Sequence, residues 1–448
     1  MADQMGLGKT NQVLVAARHL LLQKKVNHCI FMVTKGGLPH WENQIRLTFG
    51  EDVDYIVLNK IAPPERRRAA YKERRQFYLV TLETFREDVA HGLSKDREMV
   101  EIWKHSLVCI DEIHKIGNTS TKANRAALAI AEHAPYRWGI SGTPMDGALI
   151  KLYGVMAFLD RDFFIDKRSF IDHHCIQDMW GSIKKYKNEP DVEKKLKYIM
   201  IRRLKKDVRD DLPEKTYREH YVELTKDERS IYSKLKNQDM DLWSNELNDK
   251  FNDALPMSRI IYGQLAVDTP ALLSDEWTRP STKMEELYDM LTELVPISKV
   301  VVFSKYAKMC KILHHWLPWP SICYTGELTI NQRRQAQERF LTDSGVPIFI
   351  MDTAGAEAID LHGMEKDGVW HQGAEYLIRY DSLWNPDRNA QVEDRIHRVG
   401  QKERVTIIEM IAKNTVEEKI RARLMQKTAV IKQIITKTMT ERECQTLM

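Results

Sequence analysis

Cysteine is scarce in this chain and never occurs as C-x-x-C. The six cysteines, at positions 29, 109, 175, 310, 323 and 444, offer neither the paired spacing of a zinc ribbon nor the framework of a disulfide-stapled domain. The run His173-His174-Cys175 has no second cluster at finger spacing, so structural zinc is not expected. No apolar run approaches the roughly 18 residues that a membrane span needs, and the first residues lack a signal-peptide pattern. The expected address is the cytoplasm of a bacterial or phage-infected cell, or the nucleus of a eukaryote. Net charge is also small, +4 from 68 Lys and Arg against 64 Asp and Glu, too little to argue for nucleic acid by itself. The remaining composition, 29% charged and 43% hydrophobic, describes an ordinary folded protein. A chain of 448 residues suits two or three domains, each with its own core.

The charge is concentrated rather than spread. Residues 61–76 hold six Arg and Lys, among them Arg66, Arg67, Arg68, Arg74 and Arg75, against two Glu, and residues 184–208 hold ten against four. Local fields of this kind bind phosphates without sequence preference, although a solvated helix face has the same composition.

Four segments carry chemistry. In Asp3-Gln4-Met5-Gly6-Leu7-Gly8-Lys9-Thr10, backbone N–H groups around Gly6 and Gly8 would cradle phosphates at a helix N-terminus, with Lys9 reaching the β/γ oxygens and Thr10 a Mg²⁺ ion. Asp3 stands where the G-x-x-x-x-G-K-[ST] pattern has its first Gly. The run Leu107-Val108-Cys109-Ile110-Asp111-Glu112-Ile113-His114 reads as a buried parallel strand ending in two carboxylates. Asp111 would hold Mg²⁺, and Glu112 would orient and deprotonate the attacking water. Gly139-Ile140-Ser141-Gly142-Thr143-Pro144 is again strand then turn, and open α/β sheets collect ligands at such strand ends. Far downstream, Gln391 precedes Arg395 and Arg398, two arginines three apart. An arginine finger has to come from outside the loop that holds the nucleotide, which fits this distance along the chain.

Six blocks in order resemble the Swi/Snf-related DNA-dependent ATPases of helicase superfamily two, with a DExH-type Walker B. Besides the segments above they include Met200-Ile201-Arg202-Arg203-Leu204-Lys205-Lys206-Asp207-Val208 with Leu212-Pro213-Glu214-Lys215, Val301-Val302-Phe303-Ser304-Lys305-Tyr306, and the stretch Trp384–Gln401. The resemblance covers nearly the whole chain. It implies an ATP- and Mg²⁺-dependent monomeric translocase on double-stranded DNA, which moves without separating strands and holds DNA across a cleft between two RecA-like lobes. Its implied DNA contacts are Lys35, Trp41, Thr81, Thr325 and Thr353, and its implied coupling residues His114, Ser141, Gly142 and Thr143.

The expected fold is α/β: two RecA-like doubly wound parallel-sheet lobes with helical insertions between them and a C-terminal helix. Apolar runs at 29–33, 77–81, 107–110 and 138–141 supply the first sheet, and runs at 299–303, 320–324, 347–351, 375–380 and 405–411 the second. Lobe one is expected over 1–222 with a helical protrusion at about 145–200, an insertion over 223–280, lobe two over 281–412 and a terminal helix over 413–448. That helix would open on the capping box Thr415-x-x-Glu418. Two departures from the family stand out. Ala356 and Ala358 occupy positions where relatives carry glycine. Only Met1 and Ala2 precede the phosphate loop, so the strand that should feed it is missing; the expectation is a truncated start, with ATP binding that improves on N-terminal extension. A nucleotide-incompetent DNA-binding remnant and an RNA-directed DExH helicase remain alternatives.

Overall fold

The computed structural model describes all residues except 147, 182, 209–211, 238–255, 354–358, 399, 423 and 426–448. It divides into two compact units, within residues 1–210 and 211–426.

The first unit is built on β1 (His28–Val33), β2 (Tyr55–Val57), β3 (Phe77–Thr81), β4 (Ser106–Asp111) and β5 (Tyr136–Ile140), all parallel, in the order β2-β3-β1-β4-β5. β1 and β3 are buried at every residue, as parallel strands covered on both faces must be. Alternation along the strands divides these residues between two cores. Ile30, Met32, Tyr78, Val80, Val108 and Ile110 meet the helices Leu82–Ala90, Arg97–Lys104, Lys122–Ala131 and Leu149–Leu159. Cys29, Phe31, Val33, Phe77, Leu79, Leu107 and Cys109 meet the helices Lys9–Leu22 and Leu38–Phe49. At ~1.5–3 kcal/mol for each fully buried large apolar side chain, this double layer stabilises the sheet from both faces.

Beyond β5 the lane expected to be empty is filled by Met1–Gln4. The Met1 amine donates to the Gly139 carbonyl (2.7 Å) and the Met1 carbonyl accepts from Ser141 N–H (3.1 Å). On the other side Ala2 N–H donates to Ile201 O (2.7 Å) and Gln4 N–H to Arg203 O (3.0 Å). A short antiparallel hairpin, β6 (Cys175–Gln177) with β7 (Ile183–Tyr186), interrupts the stretch expected to be mainly helical.

The second unit contains β8 (Lys215–Val222), β9 (Val300–Phe303), β10 (Ser321–Tyr324), β11 (Ile348–Met351), the hairpin β12 (Gly363–Lys366) and β13 (Val369–Gln372), β14 (Tyr376–Arg379) and β15 (Val405–Ala412). Its parallel sheet runs β10-β11-β9-β14-β15-β8. The boundary expected at 222 put residues 215–222 with lobe one. They instead pair along all eight residues with β15, as the edge strand of the second sheet. The physical reason is that KTYREHYV is polar and mostly exposed, which suits an edge but carries no apolar run. Helices Lys226–Asn237 and Pro256–Asp268 occupy the region read as a helical insertion. The segment after β15 turns helical at Val416; Glu418 accepts from Asn414 N–H, one residue before the expected cap. Ala356, Ala358 and most of the expected terminal helix lie outside the described residues.

Candidate active site

The phosphate-type loop needs left-handed backbone, and it has glycine where that is required. Gly6 and Gly8 adopt φ of 85° and 70°, and Gly8 starts the helix Lys9–Leu22. Lys9 Nζ donates to the carbonyls of Asp3 (2.9 Å) and Gln4 (3.2 Å), within its own loop. Asp3, the departure from the motif, is fully buried. Its carboxylate accepts from Arg203 N–H (2.9 Å), Nε (3.1 Å) and Nη2 (2.6 Å), and from Gln12 Nε2 (3.4 Å). Arg202 Nη1 donates to Ala2 O (2.8 Å) and Gly142 O (3.2 Å). Two adjacent arginines thus hold the loop's entry to the turn after β5. In the sequence these arginines belong to a basic run and to the Met200–Val208 block, neither of which marks them as anchors of the loop.

β4 delivers Asp111 and Glu112 to the same edge of the sheet. Asp111 Oδ2 accepts from Trp41 Nε1 (2.9 Å) and Oδ1 from Glu112 N–H (3.0 Å). Burial and the neighbouring Glu112 charge push the Asp111 carboxyl up to about 6, against the Trp41 hydrogen bond and the positive Lys9. Glu112 is left-handed (φ 52°, ψ 50°), a conformation that costs a non-glycine residue ~1–3 kcal/mol and recurs at functional sites. That turn starts the short helix Ile113–Ile116 and brings His114 Nδ1 to 3.2 Å from the Glu112 carboxylate. The same nitrogen lies 3.0 Å from Ser141 Oγ, which accepts from Thr143 N–H (3.0 Å). Thr143 Oγ1 is buried with no hydrogen-bond partner among the described residues. Gly142 permits the turn: a Cβ there would stand 2.9 Å from Met5 Cγ. The residues expected to couple the site, His114, Ser141, Gly142 and Thr143, therefore meet around Glu112.

The hydroxyl of Thr10 and the carboxylate of Asp111 are hard oxygen donors of the kind Mg²⁺ accepts, and each Asp111 oxygen keeps acceptor capacity beyond the one hydrogen bond described. Among the described residues no group of three or more His, Cys, Asp or Glu is arranged to hold a metal.

In the second unit, Asn385 caps the helix Pro386–Glu393 by accepting from Asp387 N–H (2.9 Å), with Pro386 at its first position. Gln391 lies on this helix, half-buried. Arg395 is 5% exposed; its guanidinium donates to Gln391 O (3.2 Å) and Ile359 O (3.4 Å). Arg398 is the more exposed of the pair and is ion-paired to Asp360, with burial lowering its ordinary pKa. Beneath them Lys215 Nζ bridges Glu393 (3.2 Å) and Asp394 (3.1 Å), while Arg379 pairs with Glu393 (3.3 Å) and Glu409 (3.1 Å). Gln401, 3% exposed, bonds to Ala374 O, Ile396 O and the Gln372 amide, closing the segment.

Three of the five expected DNA contacts need correction. Trp41 is 1% exposed, packed 4.9 Å from Phe31 and bonded to Asp111, so its indole supports the carboxylate instead of meeting phosphate. Thr81, 2% exposed, caps the helix Leu82–Ala90 and accepts from Asn59 Nδ2 (3.0 Å). Thr325 is 3% exposed, leaving its side chain no room for a backbone contact. Lys35, after β1, and Thr353, after β11, are exposed at the carboxyl ends of their sheets.

Residues 1–266 match the SNF2-related domain and residues 282–400 the helicase conserved C-terminal domain. YwqA of Bacillus subtilis is 26% identical over 97% of this chain and 46% of its own length. The human SWI/SNF-related matrix-associated actin-dependent regulator of chromatin subfamily A member 1 is 26% identical over 94% of the chain and 40% of its length. The chain thus spans less than half the length of these relatives. Among solved structures, the Sulfolobus solfataricus SWI2/SNF2 ATPase core in complex with dsDNA is 24% identical with a TM-score of 0.41, covering 97% of this chain and 87% of that one. No helix among the described residues is long and apolar enough to cross a membrane. With one domain matching well over half of the chain and the second following it in order, the chain belongs to the SNF2-related family of helicase-like ATPases.

Proposed function

We propose that this chain hydrolyses ATP with Mg²⁺ and uses the cycle to translocate, as a monomer, along double-stranded DNA without separating the strands. The observation that carries the reading is the cluster at the ends of β4 and β5, where His114 Nδ1 lies 3.2 Å from the Glu112 carboxylate and 3.0 Å from Ser141 Oγ, which itself donates to Glu112 (3.4 Å).

Loop N–H groups around Gly6 and Gly8 and the Lys9 ammonium hold the triphosphate, and Glu112 takes the proton of the attacking water. Thr10 and Asp111 hold Mg²⁺, which neutralises phosphate charge when bound. Gln391, Arg395 and Arg398 serve the charge that develops on the transferred phosphoryl group. Arg398 supplies the finger, and Arg395, bonded to the carbonyls of Gln391 and Ile359, braces it. His114 passes the state of Glu112 to the Ser141–Thr143 turn, which couples hydrolysis to movement. Lys35 and Thr353 meet the DNA backbone, giving affinity with little sequence preference.

ATPase assays with duplex DNA, single-stranded DNA and RNA test the reading. Stimulation greatest with duplex DNA is expected; stimulation by RNA alone would reassign the chain to RNA-directed helicases, and no turnover with any of the three to a nucleotide-incompetent binder.

A further inference from the structure

The hairpin β12–β13 stands in the chain between Asp360, the ion-pair partner of Arg398, and β14. Its rungs run from Gly363 opposite Gln372 to Lys366 opposite Val369. Its two ends close on each other: Gly373 N–H donates to His362 O (3.1 Å) and Ala374 N–H to Leu361 O (2.9 Å). They approach so nearly that a Cβ on Gly373 would run into the Leu361 carbonyl.

Both ends are also bonded to the segment that carries Arg395 and Arg398. On the entry side Leu361 N–H donates to Arg395 O (2.8 Å). On the exit side Gln401 Nε2 donates to Ala374 O (3.1 Å) and, back across the segment, to Ile396 O (3.1 Å). Gln401 Oε1 accepts from Lys402 N–H (3.0 Å), Glu403 N–H (3.1 Å) and Gln372 Nε2 (2.6 Å). Gln372 Oε1 in turn accepts from Trp370 Nε1 (3.2 Å). The buried Gln401 amide is thus satisfied at both of its ends and can face only one way. Turned over, its NH₂ would meet two backbone N–H groups and its oxygen two carbonyls. Trp370 and Gln372 lie outside the sequence blocks that carry the family resemblance.

We propose that Gln372 is a positioning residue for the ATPase reaction: oriented by Trp370, it fixes the Gln401 amide and so holds the segment Arg395–Gln401 against the hairpin, a role that rests on Arg398 acting as the finger. Gln372 acts through Gln401 and the segment backbone, and it sets where the Arg398 guanidinium arrives when charge develops on the phosphoryl group. A displacement of about 1 Å in such a group costs up to ~10² in rate.

The test is ATP hydrolysis by the full chain with duplex DNA, beside a titration with an ATP analogue. Gln372→Glu keeps the shape of the side chain but sets a carboxylate, which cannot donate, against Gln401 Oε1. Its kcat is expected to fall by ~10–10²-fold while KM and analogue affinity stay at wild-type values, the pattern of an interaction felt only in the transition state. Trp370→Phe keeps an aromatic ring, removes the indole N–H, and should lower kcat in the same sense by less. It carries the test by itself should Gln372→Glu fail to fold. In an Arg398→Ala background either substitution is expected to cost nothing further, because both act through that guanidinium. A side chain that served only the folding of the second unit would instead multiply its loss with that of Arg398→Ala. Such multiplied losses would overturn the proposal, as would a raised KM at constant kcat, or wild-type kcat in Gln372→Glu where Arg398→Ala has lost turnover. Full activity in Arg398→Ala itself would remove the finger, and the positioning role with it.

Discussion

His114 Nδ1 lies 3.2 Å from the Glu112 carboxylate and 3.0 Å from the Ser141 hydroxyl, so a single imidazole joins the ends of β4 and β5. Because Glu112 also adopts a left-handed backbone, its carboxylate is aimed by strain as well as by hydrogen bonds. Glu112→Gln is expected to bind ATP as wild type does and to lose turnover by ~10²–10⁴, the range for a general base. Arg398→Ala should cost on the order of 10³ in turnover with little change in ATP affinity. Single-turnover hydrolysis beside a nucleotide-binding titration reads both. Unaltered turnover in either variant removes that residue from the chemistry.

Arg203 is the loop's anchor. Truncating it leaves the fully buried Asp3 carboxylate with Gln12 as its remaining described side-chain donor. Arg203 is itself partly exposed, so water softens the loss, and a stability cost of ~1–3 kcal/mol is expected. Arg203→Ala should also weaken ATP binding, because the carbonyls that hold Lys9 would no longer be fixed. Adding Asp3→Asn should recover part of the stability; a double variant no better than the single one would show that the pair is not the anchor.

Trp41 and Lys35 should separate cleanly. Removing the Trp41 indole empties the core between the helix Leu38–Phe49 and β1 and strips Asp111 of a donor, so Trp41→Ala should lower stability by ~3–5 kcal/mol. Lys35→Ala should leave the melting temperature unchanged, weaken duplex binding for all sequences and reduce its salt slope by about one. A reversed pattern, with Trp41→Ala stable but defective in DNA binding, would return the indole to the interface.

The second unit carries a buried charge cluster with a pH signature. Lys283, fully buried, is bonded to both Asp268 (2.9 Å) and Glu417 (2.6 Å), and one ammonium does not neutralise two carboxylates. Burial foremost, with Asp381 and Glu417 nearby, pushes Asp268 up to about 8 against the pull of Lys283 and Lys305. The folded state therefore holds a proton that the unfolded chain, with a carboxyl near ~3.9, releases. Stability contributed by this group is full below about pH 4, falls as pH rises and levels above about pH 8. Asp268→Asn should flatten that decline in thermal melts taken across the window; parallel slopes in variant and wild type would contradict the assignment.

What the sequence revealed and what it hid divide along a physical line. Both parallel sheets were legible because strands such as β1 and β9 are buried on both faces and read as unbroken apolar runs. β2, three residues long, and β8, a polar edge strand, carry no such signal. The hairpins β6–β7 and β12–β13 were hidden for the same reason. In the site, Glu112, His114 and Ser141, which belong to motifs with a spacing rule, lie together around the His114 ring. Trp41, Thr81 and Thr325 do not take the places expected of them, because residue type alone does not tell a phosphate contact from a buried donor or a helix cap. Arg203 was invisible as an anchor because its partner, Asp3, lies 200 positions away.

The central claim is directional movement along intact duplex DNA driven by ATP, and triplex displacement reads it directly. With ATP and Mg²⁺ the chain should strip a third strand from its duplex while leaving a forked duplex paired, and Glu112→Gln should do neither. Failure to displace the third strand despite duplex-stimulated hydrolysis, or robust unwinding of the fork, would contradict the account.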